Sequence, residues 1–198
     1  MYVRAIHLNI CMDKIYGFYK NINEDYKALI SELKWNFTDH CMWPRDSYKQ
    51  GHQGAMPPFY DVGYYNDKNT AFWQIKPEAN SEDFISIVAQ VPVIDATVTL
   101  IRLDPGCSLP WHKDSFYLLR QKRQEWQEQG LKPVRYLIFV EDWKLGHFVQ
   151  LENTVVTHWN AGDCWYFCNE TYHLGTNAGL DPFISMQVSG FKQVHNTR

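Results

Sequence analysis

The chain of 198 residues lacks the features that mark several special classes of protein. Its formal net charge is only −3, so no general excess of basic charge is available to bind nucleic acid or an anionic membrane surface. No apolar run approaches the roughly 18 residues of a membrane-spanning helix. Arg4, His7 and Asp13 interrupt the first residues, which therefore do not resemble a secretory signal. We expect neither a nucleic-acid partner nor a membrane partner.

Cysteine is also too sparse to form a disulfide framework. Five cysteines are scattered along the chain, and no two are spaced as a C-x-x-C pair. Cys164 and Cys168 fall in an apolar run, so burial as small hydrophobic residues is favoured over metal binding. This usage predicts a reducing compartment, the cytoplasm.

The composition changes near residue 92. Before that point, short apolar pieces mix with glycine, proline, asparagine and aspartate, and two helices are predicted. One covers residues 23–33, and the other begins at Asn80 and ends at Pro92. We predict that residues 1–92 form an N-terminal extension of helices and loops that packs on a core of residues 93–198, the two making one compact structural domain.

Beyond residue 92 the sequence is rich in β-branched and aromatic residues. Strands are predicted at 96–103, 134–141, 147–151, 154–159, 163–167 and 183–191. One helical insert, 115–129, interrupts them and ends at Gly130. Its basic residues could contact an acidic substrate, but nearby Glu125 and Glu128 favour a solvated, ion-paired helix face. Short strands in close succession predict a mainly β sandwich or barrel.

Three residues in this region have the chemistry of a metal site. His112 and Asp114 follow a strand and a Pro105–Gly106 turn, and side chains two apart in extended backbone share a face. A third ligand, His173, lies in a glycine-containing loop between two later strands. Two imidazoles and one carboxylate are typical of non-haem Fe(II) oxygenases. Because H-x-D is common by chance, the alternative is a solvent-facing His112 paired with Asp114; the context favours the metal site.

From about Val98 to Gly190 the chain resembles the Fe(II)/2-oxoglutarate-dependent dioxygenases. The matching segments are IRLDPG at 101–106, WHKD at 111–114, the strand at 135–140, GHF at 146–148, WNAGD at 159–163, and His173 with Asn177. The segments IRLDPG and WNAGD most resemble the aspartyl/asparaginyl and prolyl hydroxylase branches. The resemblance implies a double-stranded β-helix (jelly-roll, cupin-like) core with flanking N-terminal helices and one helical insert.

The same resemblance implies an activity. It implies Fe(II), the co-substrate 2-oxoglutarate and O2, with 2-oxoglutarate decarboxylated to succinate while an amino-acid, peptidyl or small-molecule substrate is hydroxylated. No catalytic residue beyond the metal ligands is implied. Two alternatives remain: a cupin-like metal enzyme that does not use 2-oxoglutarate, and an inactive jelly roll that binds a ligand. The oligomeric state is left open.

The chain departs from the family at the co-substrate anchor. Many members carry an arginine about ten residues after the second histidine, in an R-x-S pattern that holds the far carboxylate of 2-oxoglutarate. Phe183 stands there instead, with Ser185 still able to donate a hydrogen bond. Arg135, which begins a nearly continuous apolar strand, is the favoured replacement because its planar fork suits a carboxylate. Arg102 is the second candidate, and an Arg135 that points to water is the alternative.

Weaker signals concern the substrate. We predict that Trp111, His147, Trp165 and Asn177 line the pocket, although His147 has the alternative of a hydrogen-bonded core histidine. The aromatic residues at 60–65, together with Trp73, could form a substrate wall, but ordinary packing is the favoured explanation.

Overall fold

A computed structural model describes residues 16–22, 24–31, 34–39 and 71–193. Its helices are short: α1 (Tyr26–Ser31), α2 (Glu82–Val88) and α3 (Tyr117–Lys122). The strands that precede α3 are β1 (Tyr16–Asn21), β2 (Asn36–Asp39), β3 (Ala71–Ile75), β4 (Ile94–Leu103) and β5 (Ser108–His112). Those that follow it are β6 (Leu131–Phe139), β7 (His147–Leu151), β8 (Thr154–Val156), β9 (Asp163–Cys168), β10 (His173–Asn177) and β11 (Phe183–Gln193).

Within the described residues these strands form two antiparallel sheets. The major sheet has seven strands in the order β1-β9-β6-β11-β4-β3-β2, and the minor sheet has four in the order β5-β10-β7-β8. From β4 onward the chain alternates between the two sheets, except that β7 and β8 form a hairpin within the minor sheet. This alternation is the topology of a double-stranded β-helix, so the predicted mainly β fold is confirmed.

Alternation along the major sheet separates two hydrophobic clusters. Leu100, Ile138 and Met186 point away from the minor sheet, and α1 and α2 supply Tyr26, Phe84 and Ile87 to the same outer cluster. Neighbouring residues of the same strands, such as Ile101, Leu137 and Phe183, face inward and pack with minor-sheet residues such as Val149 and Leu151. The inner cluster therefore fills the space between the sheets, where the candidate ligands also lie.

The predicted elements are found with differences in their bounds. β5 and β10 were not predicted as strands, and residue 173 was expected in a loop; both are short and carry proline, glycine or polar residues. The insert is helical only over Tyr117–Lys122. None of the described helices combines the length and the apolar character needed to cross a membrane.

The extension before residue 93 holds more than helices and loops. β1 pairs with β9 and β3 with β4, so this part of the chain adds strands to both edges of the core sheet. The boundary at residue 92 stays a prediction, and the aromatic residues at 60–65 lie outside the described part of the chain. Cys164 and Cys168 are buried in the outer cluster, as expected of small hydrophobic residues.

Gly162 offers a test of how the N-terminal segment is fastened. Its φ is +88°, and an added Cβ would lie 2.4 Å from the carbonyl oxygen of Ile22, whose amide donates to the Gly162 carbonyl at 2.7 Å. Gly106 has a similar φ of +83° but open space around the Cβ position. Left-handed strain should lower the free energy of unfolding of Gly106→Ala by about 1–2 kcal/mol. Gly162→Ala should lower the free energy of unfolding by about 1–3 kcal/mol more than Gly106→Ala does, because its added methyl group also clashes with the Ile22 carbonyl.

Urea denaturation of both variants measures the two losses. Equal losses would show that Ile22 does not press on Gly162 in solution.

Candidate metal centre

The two candidate histidines meet where β5 and β10 pair. His112 and His173 stand directly opposite each other in the register, and both side chains are buried. Their ring centroids are 4.2 Å apart and the ring planes are tilted by 51°. Strand pairing across the minor sheet therefore brings the two imidazoles together although they are far apart in the sequence.

An irregularity in β5 turns His112 toward the interior. Gly175 pairs with Leu109 and His173 with His112, so the two steps along β10 match three along β5. Leu109 packs against the inner cluster, and regular alternation would have pointed a residue three positions later outward. The extra residue works as a β-bulge, which re-aims side chains and is common beside active sites.

Asp114 completes the group just beyond the end of β5. Its Oδ1 lies 3.8 Å from His112 Nε2 and its Oδ2 lies 3.5 Å from His173 Nε2. One ligand atom from each of the three residues can be chosen so that all lie within 4.8 Å of one another. The structure thus brings together the three residues that the sequence predicts as ligands.

The protonation states also suit a metal. Burial, together with the neighbouring His112, lowers the pKa of His173 to about 3, so its imidazole is neutral. His173 Nδ1 donates to the Thr171 carbonyl at 3.1 Å, which leaves the Nε2 lone pair facing Asp114. Burial opposes ionisation of Asp114, but the Arg135 guanidinium beside it outweighs this effect and holds the pKa of the carboxyl below its ordinary value. Two imidazole nitrogens and an ionised carboxylate fit Fe(II) or a similar divalent ion.

Arg135 stands beside this group on the inner face of the major sheet. Its Nη1 lies 2.6 Å from Asp114 Oδ2, and its Nε donates to Ser189 Oγ at 3.0 Å. The guanidinium carbon lies 5.2 Å from the ring centroid of Phe116, in the segment that leads into α3. The guanidinium therefore does not point to water.

Arg102 occupies the opposite face of the same sheet. Its neighbours Ile101 and Leu103 belong to the inner cluster, whereas Arg102 pairs in register with Trp73 and bonds Asp104 at 2.7–2.8 Å. Trp73 also donates to Asp104, at 2.7 Å. The expectation that Arg102 could anchor a co-substrate does not fit this placement, because the sheet lies between its side chain and the metal ligands. The same placement turns Trp73 away from the interior.

Two of the predicted pocket residues serve a loop instead. His147 and Asn177 face each other at the end of β10 remote from His173, about 13 Å away along the strand. His147 Nε2 bonds the Asp181 carbonyl at 2.9 Å, and Asn177 Nδ2 donates to the same oxygen at 2.7 Å and to the Leu103 carbonyl at 2.9 Å. Their buried polar groups hold the loop of residues 178–182, and they do not line a pocket at the metal ligands.

The two predicted tryptophans point in different directions. Trp111 stacks on Tyr172, with centroids 5.8 Å apart and planes 7° from parallel, and Lys113 Nζ lies 4.2 Å from the Tyr172 centroid. Because these residues alternate with the inward-facing His112 and His173, Trp111 lies on the outer face of the minor sheet. Trp165 packs against the inner cluster and remains partly exposed. Of the four residues predicted to line the pocket, it is the one that faces the interior near the ligands.

Phe183, where the sequence resemblance would place an arginine, belongs to an aromatic stack. Its ring centroid lies 5.1 Å from His147, 5.3 Å from Trp159 and 6.2 Å from Phe139. Ser185 follows on the inner face, between Ile101 and Phe139. This end of the interior is closed by rings and carries no cation in the described residues.

Comparisons with known proteins agree with the fold. No family model matches the chain, and no curated protein matches its sequence. Among solved structures, the non-haem α-ketoglutarate-dependent epimerase SnoN from nogalamycin biosynthesis matches with a TM-score of 0.51 at 9% identity, over 90% of this chain and 78% of that one. A Pseudomonas putida prolyl-4-hydroxylase matches with a TM-score of 0.47 at 13% identity, over 85% of this chain and 100% of that one. At these identities the likeness to SnoN shows the fold alone.

The ligand group predicts how metal binding responds to substitution. Asp114→Ala and His173→Ala should each weaken Fe(II) binding by at least about 100-fold, more than the 10–100-fold typical of losing a group that only orients a ligand. Lys113→Ala is the matched control, because Lys113 lies between two candidate ligands in the sequence but points outward. Anaerobic calorimetric titration with Fe(II) measures the affinities. An Asp114→Ala protein that binds iron as wild type does would exclude this site.

The aromatic stack predicts that an arginine is poorly tolerated at position 183. Phe183→Arg should lower the free energy of unfolding by about 3–5 kcal/mol, because it buries a charge without a partner. Phe183→Leu, which keeps an apolar side chain, should cost about 1–2 kcal/mol. Chemical denaturation distinguishes the two; a stable Phe183→Arg protein would show that the stack leaves room for a charged group.

Proposed function

We propose that the protein is an Fe(II)- and 2-oxoglutarate-dependent oxygenase that hydroxylates an amino-acid, peptidyl or small-molecule substrate. The observation that carries the proposal is the buried group of His112, Asp114 and His173, with Arg135 in contact with its carboxylate. The mainly β fold, with its ligands on the minor sheet, supports a metal enzyme of the cupin type. The requirement for 2-oxoglutarate and the hydroxylation belong to the proposal.

The three ligands would hold the iron, which, when bound, supplies the site at which O2 is reduced at the expense of 2-oxoglutarate. His112 and His173 present imidazoles from adjacent strands, that of His173 neutral, and Asp114 presents a carboxylate. The hydrogen bond from His173 Nδ1 to the Thr171 carbonyl fixes the ring orientation. The chain thus supplies a set of three donors in the protonation states that the metal needs.

Arg135 has the charge and the position to attract an anionic co-substrate. It is the cation in contact with the ligand group, and its planar fork can bind a carboxylate through two hydrogen bonds. Its exposed fraction is only 19%, so the charge is little screened by water. Phe116 and Phe167 pack beside Arg135 and His173 respectively, and their rings would exclude water from the reaction.

One observation favours a second candidate, a metal enzyme of the same fold that does not use 2-oxoglutarate. Phe183 replaces the usual arginine, and the aromatic stack around it leaves no cation at that end of the interior within the described residues.

An active Fe(II) site suits a reducing compartment, and the buried Cys164 and Cys168 agree with one, so we place the protein in the cytoplasm as part of the proposal.

A binding and turnover experiment tests the proposed function. Apo-protein is loaded anaerobically with Fe(II) and titrated with 2-oxoglutarate, and we expect the weak visible charge-transfer band of the chelate. Admission of O2 should then yield succinate. Iron uptake without the band would favour the second candidate, and absence of iron uptake would favour a jelly roll that only binds a ligand.

Substitution of the two arginines tests the role of Arg135. Arg135→Ala should weaken 2-oxoglutarate binding by about tenfold or more, the effect of losing hydrogen bonds to a charged group, while iron still binds. Arg102→Ala is the matched control, because the same side chain is removed from the outer face of the sheet. Titrations followed by the visible band give both affinities. If Arg102→Ala weakens binding and Arg135→Ala does not, the assignment of Arg135 is wrong.

A further inference from the structure

β11 carries an unusual stripe of polar side chains on its inner face. Ser185, Gln187 and Ser189 alternate with Met186 and Val188, which pack in the outer cluster. Each of the three polar residues is only 7% exposed. Core strands between two sheets normally place apolar residues at such positions, so the stripe requires an explanation.

Register relates the stripe to the metal ligands. Ser189 pairs with Thr97 and Arg135, which defines the Ser189 row, and its hydroxyl accepts a hydrogen bond from Arg135. The Ser189 row therefore lies at the level of Asp114. Its polar side chains already have partners, because Arg135 bonds the Ser189 hydroxyl and the Thr97 hydroxyl donates to the Ser189 carbonyl at 3.4 Å.

The Gln187 row lies two residues deeper in the interior. Gln187 pairs with Thr99 on one side and Leu137 on the other, and Trp165 pairs with Leu137. No described residue hydrogen-bonds the Gln187 amide. Its nitrogen and oxygen are not among the fully buried polar atoms that lack a partner, so the amide is accessible from the space in front of it. Thr99 and Trp165 in the same row remain partly exposed, so this level of the interior is open to a ligand.

The Ser185 row forms the floor. Ser185 pairs with Ile101 and Phe139, and Phe139 stacks on Trp159 with centroids 3.8 Å apart. Beyond it lies the ring of Phe183. A small molecule that enters from the side of the three metal-binding side chains can therefore reach Gln187 and the Ser185 hydroxyl. The aromatic stack around Phe183 prevents it from going further.

The spacing of the rows matches a short diacid. Two residues along a strand span about 6.6–6.8 Å, close to the reach of a five-carbon chain. One end of such an acid would lie beside Arg135 and the metal ligands, and the other end would meet an amide and two hydroxyl groups. Carboxylates accept hydrogen bonds from neutral donors such as these.

We propose that Gln187, with Ser185 and Thr99 beside it, binds the carboxylate of the co-substrate that is remote from the metal ligands. This inference rests on the proposed function and extends it. It replaces the single arginine of the family's R-x-S pattern with a neutral hydrogen-bonding site two rows nearer to the metal ligands. Arg135, in contact with Asp114, then lies at the near end of the co-substrate and does not take the place of that arginine. The ligand class is a 2-oxo dicarboxylic acid whose two ends are held by different rows.

Two acids of equal length test the assignment. 2-Oxopentanoate has the chain length of 2-oxoglutarate but ends in a methyl group in place of the remote carboxylate. Both are titrated anaerobically into Fe(II)-loaded protein and followed by the visible band and by calorimetry. We expect Gln187→Leu to weaken 2-oxoglutarate binding by about tenfold or more and 2-oxopentanoate binding by less than about threefold. Gln187→Glu should weaken 2-oxoglutarate binding further, because it places a like charge against the remote carboxylate.

The controls separate binding from packing. Gln150→Leu makes the same substitution on the outer face of the minor sheet and should leave both affinities unchanged. Gln187→Leu should have about the melting temperature of wild type, because the amide makes no hydrogen bond to a described residue that the substitution would break. If Gln187→Leu weakens both acids equally, or neither, the inference is overturned. If wild-type protein takes up iron but binds neither acid, the proposed function fails, and this inference fails with it.

Discussion

A carboxylate buried between two sheets is stable only where a cation or several donors stand beside it. Asp114 meets that condition through the Arg135 guanidinium, 2.6 Å away. The ion pair also joins the major sheet, which carries Arg135, to the segment that leaves the minor sheet. Any ligand that binds here alters the balance of charge on which this contact depends, so the stability of the fold and the affinity of the site are coupled.

The position of the ligands follows from the order in which strands alternate between sheets. β5 and β10 are neighbours because the chain crosses to the minor sheet early and returns to it late. Pairing alone brings His112 opposite His173, but it does not decide which way the imidazole points. The extra residue in β5 does that, because a shift of one residue in register exchanges the faces of a strand. A small local irregularity thus decides whether the His112 imidazole can lie beside His173 and Asp114.

Much of this could be predicted from the sequence, and the failures share one cause. The three ligands and the barrel class followed from residue types and spacing. Arg102, Trp111, His147 and Asn177 were placed near the site because their positions in the chain are near ligand motifs. Their true directions depend on strand register and on the bulge, which no local pattern reveals. The stripe at Ser185, Gln187 and Ser189 was visible as polar alternation within an apolar strand, but its meaning required knowing which face was inward.

The position of the buried cation, Arg135, determines which side chains the rest of the interior can accommodate. Arginine at position 183 would require a polar, hydrated far end, whereas Phe183 allows a closed aromatic stack with Phe139 and Trp159. The charge is then found one strand over, at Arg135, in direct contact with a metal ligand. A neutral amide at Gln187 is compatible with that arrangement because a second cation so close to Arg135 would be repelled by it. Phe183 at the closed end of the interior and the neutral amide of Gln187 are therefore compatible with a single cation at Arg135.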